Sequence, residues 1–79
     1  MNPNTVIDAV INRLSLKNDA ALCRRLKIPA PVLSKIRNKH APMGPSTMMR
    51  IQVATGMTPH EIFALMGDVT PEAYFGIAA

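Results

Sequence analysis

Residues 19–39 read DAALCRRLKIPAPVLSKIRNK. Two short apolar-periodic runs are joined here by a very tight link. Leu22, Cys23 and Leu26 share one face of the first run, while Ala20, Ala21, Arg24 and Arg25 fall on the other. Val32, Leu33 and Ile36 give the second run an apolar face of its own. Asn18 can cap the first helix, and Asp19 suits the positive end of its dipole. That helix is expected over about Asp19–Leu26. The second is expected from Pro31 to about Asn38, because Ala30 precedes a proline and is pushed away from α geometry.

Outward from this pair the chain continues in helices. Towards the N-terminus, Val6, Ile7, Val10, Ile11 and Leu14 follow the i, i+3/i+4 pattern of one buried face. A helix over about Pro3–Leu14 is expected, with Asn2 as its cap and Pro3 in the first turn, where its missing N–H has no use. Downstream, a loop from Lys39 to Gly44 leads to a helix over Pro45–Thr55 that Gly56 stops. Met48, Ile51 and Thr55 face one way there, flanked by Met49 and Val53. Thr58 and Glu61 form a capping-box pattern that opens a fifth helix, with Ile62, Phe63, Leu65 and Met66 on its apolar face and Gly67 at its end. The methionines read as core filler. The expectation is an all-α domain of five helices over residues 1–69, with a tail over 70–79. Helices two and three, short and joined by residues 27–30, outline a helix-turn-helix unit at about 19–38.

Composition agrees with one small packed domain. The chain has 79 residues, 48% of them hydrophobic and 18% charged, which is too apolar for disorder. A single cysteine rules out an intramolecular disulfide framework. The N-terminal stretch MNPNTVIDAV has no basic leader and carries Asp8 in its apolar run, and no apolar run approaches a membrane span. A cytoplasmic location with no membrane partner is expected. The net charge is +4, and its distribution is uneven. All nine Lys and Arg lie between Arg13 and Arg50, where Asp19 is the only acid. Such a concentration suits an anionic partner, and it also suits a solvated basic face.

The apolar ladder Leu22, Cys23, Leu26, Ile28, Leu33, Ile36 resembles the bacterial and phage helix-turn-helix repressors of the Cro-like, xenobiotic-response-element type. The stretch RIQVATGMTPHEIFALMG looks like the fourth and fifth helices of that family, so the resemblance covers about residues 5–67. Two positions depart from it. Lys27 stands where the family usually has a turn glycine, which calls for a positive φ. Pro29 replaces the usual Ser or Thr cap.

The resemblance implies a phage-repressor-like domain that binds double-stranded DNA. Pro31, Ser34, Lys35 and Asn38 lie at i, i+3, i+4 and i+7, on the face that enters the major groove in the family. A bare helix fits that groove and meets base edges there. Lys35 can donate to guanine, Ser34 can donate or accept, Asn38 suits an adenine edge or a phosphate, and Pro31 can only touch a thymine methyl. Arg24, Arg25, Arg37, Lys39 and His40 are the phosphate candidates. Val32, Leu33 and Ile36 are expected to press the helix onto the core.

A metal site lacks ligand spacing at Cys23, His40 and His60, and Cys23 reads as buried. No glycine-rich phosphate loop and no triad accompany Ser34 or Ser46. No cofactor and no enzyme activity are expected. The function expected is sequence-specific regulation, as a repressor that occupies a promoter. The alternative is a protein-interaction module on the same fold, antitoxin-like or an adaptor subunit. One short reading helix covers few base pairs, so a homodimer is expected. Its interface is assigned to the fifth helix and the tail, through Phe63, Tyr74, Phe75 and Ile77; the competing reading is a tail that folds back to cover its own core.

Overall fold

The computed structural model describes residues 2–67. Five helices follow one another: α1 (Pro3–Arg13), α2 (Asp19–Leu26), α3 (Ala30–Arg37), α4 (Pro45–Thr55) and α5 (Pro59–Met66). No strand occurs among the described residues, and no helix there is long and apolar enough to cross a membrane.

The helix starts follow from cap chemistry. Asn2 Oδ1 accepts from the Asn4 amide at 3.0 Å, Asn18 Oδ1 from Ala21 at 2.9 Å and Thr58 Oγ1 from Glu61 at 3.1 Å. Each satisfies a first-turn N–H that has no intrahelical acceptor. α3 begins one residue before the expected start. Pro29 occupies its cap position at φ −60°, ψ 138°, with no side-chain bond, and its carbonyl accepts from Val32 and Leu33 at 3.0 and 3.2 Å. Pro31 sits in the first turn, where a missing N–H costs nothing, and that outweighs the aversion of Ala30 to α geometry.

The helix ends show a repeated device. α1, α2 and α3 are each followed by a non-glycine residue in the left-handed region: Ser15 (φ 54°), Lys27 (φ 57°) and Lys39 (φ 61°). In each case the next amide reaches back five residues: Leu16 to Ile11 O at 2.9 Å, Ile28 to Cys23 O at 3.0 Å and His40 to Lys35 O at 2.8 Å. These Schellman-type closures satisfy the last carbonyls. α4 ends on Gly56 at φ 75°, where glycine adopts the same geometry without strain.

One core joins the five helices. Val6, Ile7 and Val10 of α1 meet Ile62, Phe63 and Met66 of α5, and Leu22, Leu26, Ile28, Leu33, Ile36, Met43, Met48, Ile51 and Met57 complete it. α1 packs against α3, α4 and α5, and α2 packs against α3 and α4. An Asn2 N–H···O Met66 bond of 2.9 Å ties the start of α1 to the end of α5.

Val32, Met49 and Cys23 depart from the expected core, and Val53, expected to flank the α4 face, lies well outside it. Val32 is 41% exposed, because Leu33 and Ile36 alone fill the contact and the helical turn carries Val32 off to the side. Met49 is 63% and Val53 83% exposed, four residues apart on the outer side of α4. Met48 and Ile51 already occupy its inner side, so Met49 is not core filler. Cys23 is half-buried rather than buried, packed at the edge of the core.

Candidate functional site

α3 presents Pro31, Ser34, Lys35 and Asn38 to solvent together, while Leu33 and Ile36 anchor it from the opposite side. Asn38 is the C-terminal cap, and its Nδ2 lies a long 3.5 Å from Ser34 Oγ. These polar groups remain available to a ligand. Lys39 and His40 follow directly, in positions fixed by the closure of the α3 terminus, where the Lys39 and His40 amides bond Ile36 O and Lys35 O. Arg24 and Arg25 are exposed in the last turn of α2.

Arg37 lies elsewhere. Its place in the basic run suits phosphate, but its guanidinium is held by other helices of the same chain. Its Nε and Nη2 donate to the two carboxylate oxygens of Asp19 at 2.8 and 2.7 Å. Its Nη1 meets Asp8 Oδ1 at 2.9 Å and Asn4 Oδ1 at 3.1 Å. Asn4 Nδ2 returns a bond to the Arg37 carbonyl at 3.0 Å. One residue of α3 is thereby fastened to α1 and α2 together, with the bidentate geometry of strong arginine–carboxylate pairs. The bonds from Arg37 hold the Asp19 carboxyl below the usual range against a smaller opposing effect of burial, and Asp19 raises Arg37 in return. Arg37 is a positioning residue for α3, not a free cation.

Asn4 and Arg50 are contributors that sequence reasoning missed. Arg50 Nη1 donates to Leu26 O at 3.0 Å and Lys27 O at 3.2 Å, so α4 holds the end of α2 and the left-handed turn after it. A hint of the Arg37 contact did exist: a lone acid in a run of cations, at a helix start one tight turn before α3, has every reason to find one of them. Among the described residues, Arg37 accounts for the ion pairs, with Asp8 and with Asp19. Arg24, Arg25, Lys35 and Lys39 have no carboxylate within reach there.

Cys23 shows no activation. Desolvation first, and then the charge of Asp19, push its thiol up, away from a reactive thiolate. Phe63 does not serve the interface assigned to it: it is 1% exposed, locked in the core between α1 and α5. Its apolar ring is consumed within one chain. Tyr74, Phe75 and Ile77 lie outside the described residues. Comparisons with protein-family models, curated proteins and solved structures returned no match.

Proposed function

We propose that this chain binds double-stranded DNA through α3, as a small sequence-specific regulator of the phage-repressor-like helix-turn-helix kind, acting as a repressor by occupying a promoter. The observation that carries the reading is the division of labour on α3. Its apolar side is anchored by Leu33 and Ile36 and its end is bolted by Arg37, while Pro31, Ser34, Lys35 and Asn38 stay exposed beside cations that form no ion pair among the described residues. A rigid helix with an unspent polar stripe suits the major groove. The left-handed turn at Lys27 supports the same reading, since it supplies the geometry that a turn glycine gives in the resembling family.

Lys35 and Ser34 meet base edges in this scheme. Arg24, Arg25, Lys39 and His40 meet phosphates. Val32, exposed on the flank of α3, adds an apolar contact suited to a thymine methyl. The protein acts as a homodimer, which sets two reading helices about one DNA turn apart.

The test is affinity against salt on a duplex selected from a random pool. With Arg37 occupied, roughly 3–5 phosphates per bound unit are neutralised, so log affinity should fall with log salt at a slope of roughly −3 to −5. A flat response removes the proposal. The alternative, a protein-interaction module, is favoured by one observation, the outward apolar pair Met49 and Val53 on α4. Stoichiometric capture of a protein without DNA would select it.

A further inference from the structure

A groove of about 220 Å³ runs between the end of α2 and the outer side of α4. Leu26 and Ala54 give it an apolar floor, the exposed Met49 and Val53 an apolar edge, and Arg25, Lys27 and Arg50 line it with charge. Cavities of about 150 Å³ accept a benzene ring, so this groove has room for an aromatic or large aliphatic side chain. Among the described residues, none of its three cations meets a carboxylate.

These features select an occupant. Nucleic acid has no use for an apolar edge with Val53 83% exposed. A bilayer takes a broad apolar surface, and Met49 and Val53 are the only large apolar groups that stand out here among the described residues, flanked by charge. The same face of a second copy is disfavoured by charge, because it would press two surfaces that each carry three cations against each other. The groove fits a segment that carries acids and apolar anchors together.

The chain contains one such segment. Residues 68–79, DVTPEAYFGIAA, hold Asp68 and Glu72, then Tyr74, Phe75 and Ile77, and no Lys or Arg. We propose that residues 68–79 of one copy bind the α2–α4 groove of a second copy, and reciprocally, so that the dimer is built by exchanged segments. This rests on the dimeric reading above. It supplies the counter-surface that the burial of Phe63 removes from α5.

Sedimentation of the full chain at tens of micromolar tests it, with Val53→Glu on the groove and Phe75→Asp on the segment. Both variants should keep the helical circular dichroism of the wild type and weaken self-association at least tenfold. Mixing the two should restore association in part, since one intact groove then meets one intact segment. A wild-type dimer that neither variant weakens would overturn the exchange while leaving the dimer standing on another face. Loss with Phe75→Asp but not Val53→Glu would also overturn it, pointing to a segment–segment contact. A monomeric wild type overturns the exchange and the dimer together. The salt response on DNA remains a separate readout of the DNA reading.

Discussion

Arg37 and Asp19 meet side by side, Nε to Oδ2 at 2.8 Å and Nη2 to Oδ1 at 2.7 Å, and this pair fixes α3 against the start of α2. Asp8 and Asn4 extend the fastening to α1. Arg37→Ala removes every bond of the guanidinium, while the Asn4 Nδ2 bond to the residue 37 carbonyl is to backbone and survives. The expected loss is about 1–2 kcal/mol, moderated because Asp8 is largely exposed and screened by water. Arg37→Lys should recover little, since an ammonium cannot present the planar fork. Urea unfolding of the two variants checks both statements.

The pair also predicts an acid limb. The Asp19 carboxyl is lowered in the folded chain relative to the unfolded one. Its contribution is therefore complete above the unfolded value, about 3.9, and is lost as pH falls below it through the folded value. Melting temperatures from pH 6 down to pH 2 should decline in the wild type. Asp19→Asn should start lower at pH 6 and decline less. Parallel curves would count against the assignment.

Lys27 holds φ 57° without glycine. The left-handed region costs an ordinary residue about 1–2 kcal/mol, and glycine's freer unfolded chain returns part of the gain. Lys27→Gly should stabilise the domain by about 0.5–1 kcal/mol, or roughly 2–8 °C in melting temperature. The bond from Arg50 to the residue 27 carbonyl is to backbone and survives the change.

Lys35 and Lys39 separate reading from holding. Lys35 lies on the outward stripe of α3, and Lys39 lies one residue past its cap. Lys35→Ala should weaken the selected duplex more than random DNA, by about 1–3 kcal/mol. Lys39→Ala should weaken both alike and make the salt slope shallower by about one unit. Identical behaviour of the two variants would show that α3 does not read bases.

Leu33→Ala is the packing control. Leu33 is buried under α3, and its truncation should cost about 2–5 kcal/mol and loosen the helix before any contact with DNA is tested. A thermal melt unchanged from wild type would mean that α3 is anchored in some other way.

The five helices were legible because their signals are local. Asn2, Asn18 and Thr58 are caps readable within three residues, and Gly56 is a stop readable alone. The apolar ladder from Leu22 to Ile36 set the α2–α3 pairing for the same reason. What escaped depended on partners distant in sequence. Arg37 looks like a free cation until Asp8 and Asp19 are brought to it from two other helices. Phe63 looks available until the core closes over it. Val32, Met49 and Val53 lie at the edges of apolar faces, where periodicity names the stripe but not its width. In the candidate site, the outward stripe of α3 was readable from spacing, and the clamp that holds it was not.

The bond between Asn2 and Met66 has a consequence for biosynthesis. α1 is made before the other described helices, yet the α5 residues that share its core, Ile62, Phe63 and Met66, are the last of the described core to be added. At about 5–20 residues per second, roughly 3–10 s separate the appearance of Arg13 from that of Met66. Throughout that interval the apolar side of α1 has no finished seat. α3 and α4, made earlier, can cover only part of it. The core closes only when the final described helix arrives, and a ribosome that stalls before α5 holds a chain whose α1 is covered only in part and still sticky.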